Sequence, residues 1–190
     1  MTYLLVGENQ EYLCAAGEEL NTDRGILAVP TDAVPGDVVE THLGAPFTVQ
    51  ELRGPDFFHH FERTGAPMLP RDAGLVLGET GVGVGDDVLD AGTGTGVLAA
   101  YLGRGGASVV TYERRPEFAA VARENMQLAG VEDRVEVVVG DVTEALSTLG
   151  TVDVITLDTA DAPTVVAAAP ELLRPGGALA VYAPFVLAVE

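Results

Sequence analysis

The stretch Val88-Leu89-Asp90-Ala91-Gly92-Thr93-Gly94-Thr95-Gly96 limits the choice of fold more than any other part of the chain. Two apolar strand residues run into an acid, glycine follows at alternate positions, and an apolar helical pattern runs from Val97 to Arg104. This grammar describes a strand that stops at a glycine loop and hands over to a helix N-terminus. Glycines let the backbone approach a ligand, and the amides of the first helical turn face it, which suits a nucleotide. The dinucleotide fingerprint G-x-G-x-x-G would need glycine at position 97 after Gly92 and Gly94. That position is Val97, and the third glycine is Gly96, which disfavours a nicotinamide-dependent oxidoreductase.

From Asp86 onward, strand and helix patterns alternate, which argues for a parallel sheet covered on both faces. Val88-Leu89 is the first strand and residues 108–112 the second. Residues 134–139 form the third, 152–157 the fourth and 178–182 the fifth. Helices are expected at 116–129, opened by Pro116 and closed by Gly130, and at about 164–173. Pro175-Gly176-Gly177 reads as the turn into the fifth strand. Acids stand at the ends of the first four strands: Asp90, Glu113, Asp141 and Asp158. In an open parallel sheet ligands bind at that edge, and a carboxylate after the second strand can accept hydrogen bonds from both ribose hydroxyls. Any one of these acids alone could be a helix N-cap. Four in register with a glycine loop point to a bound nucleoside.

Residues 1–53 read differently. Short strands at 3–6, 12–15, 25–28, 38–39 and 47–49 are separated by Gly, Asn, Asp and Pro, the pattern of a small β-barrel-like domain. Such a module serves as a substrate handle, or as an oligomerisation or stability element. Residues 54–80 form a linker and a leading helix over 71–80, and residues 81–190 form the main domain. The linker carries Phe57-Phe58-His59-His60-Phe61. In a strand its histidines would face opposite ways with no third ligand nearby, so packing phenylalanines are expected in place of a metal site.

The N-terminus lacks the basic and apolar regions of a signal peptide, and the apolar run 178–189 is too short for a membrane span, so a cytoplasmic protein is expected. One cysteine, Cys14, excludes an internal disulfide. Twenty-nine acids face ten basic residues, a formal net charge of −19, and every basic residue is arginine. An acidic surface without lysine suits a halophile, because at about 1 M salt the Debye length is only about 3 Å and self-repulsion is screened. It also deprives any RNA partner of an obvious basic footprint.

The acid-x-Gly-x-Gly-x-Gly ending of the first strand resembles the S-adenosylmethionine (SAM) loop of Rossmann-like class I methyltransferases. From about Asn21 to its end, the chain resembles the tRNA (adenine-N1)-methyltransferase family, which acts on T-loop adenines. Asn21-Thr22-Asp23-Arg24-Gly25-Ile26-Leu27 is similar to the family's H-T-D-x-G-I-L segment, and residues 63–72, ending Leu69-Pro70-Arg71-Asp72, to its P-K-D approach. Leu157-Asp158 and Tyr182-Ala183-Pro184 are similar to its signals at the fourth and fifth strands. The resemblance implies a fold of helices on both faces of a mostly parallel sheet, SAM as cofactor, tRNA as partner and a homotetramer. It also implies roles: the loop Asp90, Gly92, Thr93, Gly94, Thr95 and Gly96 cradles SAM, and Glu113 binds its ribose. Asp141 with the Val142 amide binds the SAM adenine, and Asp158 is the catalytic carboxylate beside the target base. Three departures stand out. Leu69 replaces the family's aromatic or histidine, Thr159-Ala160 replaces Leu-Pro after the acid, and the chain stops before the family's last helix and strands, as a C-terminally truncated version would. Protein-isoaspartate and precorrin methyltransferases share the SAM loop and are the rival readings, together with a non-catalytic RNA-binding partner of the same fold.

Overall fold

Side-chain alternation along short strands builds the first part of the molecule, and near-continuous apolar strands build the second. The computed structural model describes residues 1–183, which divide into two units at Asp56/Phe57. Pro184 and the apolar run that follows it lie outside the described residues.

In the first unit, β1 (Thr2–Val6), β2 (Glu11–Ala15), β5 (Val38–Glu40) and β6 (Pro46–Gln50) form an antiparallel sheet in the order β2-β1-β6-β5. The remaining strands, β3 (Glu19–Thr22) and β4 (Gly25–Ala28), form a hairpin bridged to the sheet region between Leu27 and Thr41. Tyr3, Leu5, Leu27, Phe47 and Val49 fill the core, and the Tyr3 hydroxyl donates to the Ala33 carbonyl at 2.7 Å. Every strand expected from sequence is present. The additional one, β3, reads Glu-Leu-Asn-Thr and lacks the apolar alternation that marks the others. The Asn21–Leu27 motif forms the turn of this hairpin, where Thr22 Oγ1 donates to the Gly25 carbonyl and Asp23 accepts from the Tyr12 hydroxyl.

The boundary falls inside α1 (Gly54–His60), so the expected linker is partly helical. His59 and His60 therefore share the last turn of a helix rather than a strand. Within the second unit, Phe57 stacks on Phe61 with centroids 5.0 Å apart and meets Tyr101 edge-on, which is the packing role expected for these phenylalanines. Next comes α2 (Pro70–Thr80), opened by Pro70 in the position where its missing N–H costs nothing and closed by the left-handed Gly81.

The parallel sheet follows: β7 (Asp87–Ala91), β8 (Ser108–Glu113), β9 (Val135–Val139), β10 (Val152–Leu157) and β11 (Leu173–Val181), in the order β11-β10-β7-β8-β9. It is crossed by α3 (Val97–Arg104), α4 (Pro116–Ala129), the single turn α5 (Val142–Ala145) and α6 (Ala162–Leu172). Several boundaries shift by a residue or two, and one shifts further. The last helix begins at Ala162, and β11 begins at Leu173, where it pairs with Val152 before jumping to the Val154–Ala178 register. Pro175-Gly176-Gly177 forms the bulge between these pairings, with Gly176 at φ 89°.

From β7 the chain first builds outward through β8 and β9, then returns across the sheet to β10 and β11. The strand order therefore reverses between β7 and β10, and at such a switch point the loops diverge and leave a crevice beyond the carboxyl ends of the strands.

Candidate active site

The glycine loop is held so tightly that its composition is dictated by space. Gly92, Gly94 and Gly96 have φ of 95°, 53° and 85°, a region that side chains rarely adopt. A Cβ on Gly92 would lie 2.0 Å from the Asp158 carbonyl oxygen, and one on Gly96 would lie 2.6 Å from Met126 Cε. The crevice is thus narrow at its floor, where the Asp158 amide also donates to the Ala91 carbonyl at 2.8 Å.

Several loop amides turn inward. Gly92 and Thr93 donate to the Tyr112 carbonyl, Gly94 donates to Glu113 Oε2 at 3.0 Å, and Gly96 donates back to Thr93. These four amides fix the loop to β8 or to itself, and they precede the first turn of α3, whose amides are the ones expected to face a ligand. The threonines are ties as well. Thr93 Oγ1 lies 2.6 Å from Thr111 Oγ1, and Thr95 Oγ1 accepts from the Thr64 amide at 3.4 Å.

Below the loop Asp90 is only 3% exposed. Its register partners on either side are Thr111 of β8 and Thr156 of β10, and each donates its hydroxyl to one carboxylate oxygen at 2.5 Å. Burial raises its pKa above the ordinary carboxylate range, and the two hydroxyl bonds work against that rise. Asp90 thus braces the loop from beneath, through the chain Thr93–Thr111–Asp90.

Glu113 ends β8 with 6% of its surface exposed. It accepts from Gly94 N–H and, through Oε1, from the Arg115 amide at 3.1 Å and Arg115 Nε at 3.3 Å. It lines a cavity of about 340 Å³ together with Gly92, Tyr112, Val142 and Asp158, so loop, ribose candidate and strand-four acid share one space. Asp141 has a double role. It is the N-cap of α5, accepting from the Thr143 amide at 2.9 Å and the Thr143 hydroxyl at 2.7 Å, and its other oxygen accepts from Arg114 at 2.6 Å. These contacts, the Thr143 bonds first, hold its carboxyl below the usual range. Arg114 also reaches Asp161 at 2.5 Å, tying the β9 and β10 sides of the cavity together.

Asp158 differs from all of these. Its carboxylate accepts no hydrogen bond from the described residues, and partial desolvation raises its pKa. It is not a helix cap, because α6 has Asp161 at that position. It borders the cavity shared with Glu113 and also a second one of about 400 Å³, lined by Met68, Leu75, Leu98, Ala180 and Tyr182 among others. Leu69, the departure noted in sequence, immediately precedes α2.

Sequence reasoning missed Thr111, Thr156, Arg114 and Asn125. The two threonines carry a readable signal: each follows a pair of apolar residues within a mostly apolar strand, and each strand is a neighbour of the one that bears the acid. The residues present fit SAM, because a glycine floor that admits no Cβ stands opposite a buried glutamate with both oxygens directed at the loop and its flank. The sheet order and this site define a class I SAM-dependent methyltransferase. In agreement, a family model described as a methyltransferase domain matches residues 88–177.

The particular family follows from the relatives. The chain is 33% identical to a tRNA (adenine(57)-N(1)/adenine(58)-N(1))-methyltransferase of Methanocaldococcus jannaschii, over 98% of this chain and 77% of that protein. It is 31% identical to a tRNA (adenine(58)-N(1))-methyltransferase of Thermus thermophilus, over 80% of this chain and 61% of that protein. Among solved structures, a SAM-dependent O-methyltransferase from Thermotoga maritima superposes with a TM-score of 0.83 at 28% identity, covering 99% of this chain and 73% of that one. The chain belongs to the tRNA (adenine-N1)-methyltransferase family.

Proposed function

We propose that this protein transfers a methyl group from SAM to N1 of an adenine in the T-loop of tRNA. The observation that carries the reading is Asp158: a carboxylate that accepts no hydrogen bond from the described residues and stands between the cavity it shares with Glu113 and the second, larger one. SAM, when bound, supplies an electrophilic methyl group for in-line displacement, so positioning does most of the work. Adenine N1 gains positive charge as it is methylated. Asp158 accepts a hydrogen bond from the exocyclic amine, offsets that charge and takes up the amine proton afterwards. Glu113 holds the ribose, the Asp141 side holds the SAM adenine with Val142, and Asp90 keeps the loop in place.

Incubation with a tRNA transcript and labelled SAM, followed by mapping of the methylated atom, tests this. Label at adenine N1 supports the reading. Label on a hydroxyl favours the O-methyl chemistry named for the Thermotoga structure, and label on protein favours isoaspartate repair. The product should be N1-methyladenine.

The same reading places the enzyme in the cytoplasm as a homo-oligomer of the family's tetrameric type. No helix among the described residues is long and apolar enough to cross a membrane. We propose further that it works in concentrated salt, on the strength of 29 acids against ten arginines and no lysine. Its melting temperature should rise between low and molar salt as carboxylate repulsion is screened. A melting temperature that falls with added salt contradicts this.

A further inference from the structure

The segment 61–69 contains no regular secondary structure, yet it borders the cofactor loop. Ala66, Pro67 and Met68 face Gly92, Gly94 and Gly96 across a small cavity of about 40 Å³. Thr64, Gly65 and Ala66 face Glu113 and Asp158 across another of about 190 Å³. A strand or helix would fix such a roof through its own hydrogen-bond ladder, and this segment has none.

Its shortest bonds to the glycine-loop side run through one side chain of α4. Asn125 is 2% exposed and uses its amide in both directions. Its Oδ1 accepts from the Glu62 amide at 3.1 Å, and its Nδ2 donates to the Glu62 carbonyl at 2.9 Å. The second Nδ2 hydrogen goes to the Thr95 carbonyl, also at 2.9 Å. Asn125 thus pairs with Glu62 as a strand neighbour would, while gripping the glycine loop between Gly94 and Gly96. The Thr64 amide adds a longer bond to Thr95 Oγ1 at 3.4 Å.

We infer that Asn125 is a positioning residue for SAM: it sets the roof 62–68 in register with the glycine loop, so that both walls of the cofactor cavity stand in place before SAM arrives. No other common side chain of this size presents an acceptor and two donors in one plane. Leucine fills the space but leaves Glu62 N–H, Glu62 C=O and Thr95 C=O without partners, and aspartate keeps the acceptor while facing two carbonyls with no donor. Preorganisation of this kind appears as affinity, because an unset roof must be ordered at each binding event.

The inference rests on SAM occupying this cavity, which titration of the parent protein establishes separately. Asn125→Leu and Asn125→Asp are then titrated with SAM well below their melting temperatures, beside Val131→Ala as a core control that leaves the roof untouched; Val131 is buried just after α4. Both Asn125 variants should bind SAM at least about tenfold more weakly, whereas Val131→Ala should lose melting temperature and keep parent affinity. Methyl transfer by the Asn125 variants should recover toward the parent rate at saturating SAM, so the defect lies in KM for SAM rather than in kcat. Parent-like SAM affinity in a folded Asn125 variant overturns the inference. Hydrogen exchange on the parent protein tests it without any variant. The Glu62 amide should be as protected in the SAM-free protein as amides within α4, and free exchange at Glu62 would equally overturn the inference.

Discussion

Glu113 and Asp158 are both carboxylates at strand ends, they border the same crevice, and they are prepared for different work. Glu113 enters the crevice already bonded to Gly94 N–H and to Arg115. Asp141 is likewise bonded to Thr143 and Arg114, and Asp90 to Thr111 and Thr156. On the nucleoside side, then, every acid is part of a fixed scaffold before any ligand binds. Asp158 accepts no such bond from the described residues and is partly desolvated. A carboxylate already bonded within the protein is held in place and offers a ligand only its remaining lone pairs, whereas an unsupported one keeps its full bonding capacity. Under the proposed function, the difference separates the half of the site that would recognise SAM from the half that would respond to charge developing on the acceptor.

Variants in the two halves should therefore fail differently. The largest effect belongs to the point where the halves touch. Gly92→Ala places a methyl group against the Asp158 carbonyl in a backbone region that alanine avoids. Calorimetric titration should show no measurable SAM binding; an affinity within tenfold of the parent would mean that the floor of the crevice yields. Next is Glu113→Ala, which removes charge-assisted bonds and should weaken SAM binding by about 1.5–3 kcal/mol. Because Glu113 also anchors the loop, its melting temperature should fall as well, and unchanged SAM affinity would remove it from the site. The smallest effect is expected at Arg114→Gln. Its pairs with Asp141 and Asp161 are exposed, so SAM affinity should change no more than about threefold at low salt and not at all in molar salt. A larger, salt-independent loss would make Arg114 part of the nucleoside side proper.

The parts of this site that could be read from sequence are those written in contiguous residues. The loop, the acids after apolar runs, and helices punctuated by Pro116 and Gly130 are local signals, and α3, α4 and β10 have the limits that their patterns predict. The polar strand β3 and the single turn α5 carry too little pattern to be seen. The supporting polar groups were hidden for another reason. Thr111 and Thr156 matter only because cross-strand register sets them on either side of Asp90, and Asn125 matters because it reaches 30 residues back to Thr95 and 63 back to Glu62. Such partners are defined by the sheet and by packing, not by spacing along the chain.

The central claim, that Asp158 serves the chemistry while its neighbours serve binding, is tested most directly by Asp158→Asn. Asparagine keeps the size and one acceptor but loses the charge. In single-turnover methylation of tRNA, the rate should fall by about two to three orders of magnitude, the scale of losing one charge-stabilising group, while SAM affinity stays near that of the parent. The pH dependence adds a sign. The ionised form is the active one and desolvation raises its pKa, so the parent rate should climb with pH through a carboxylate step above the ordinary Asp range and then level, and the variant should lack that step. A variant that methylates at the parent rate, with the same acid limb, would contradict the account.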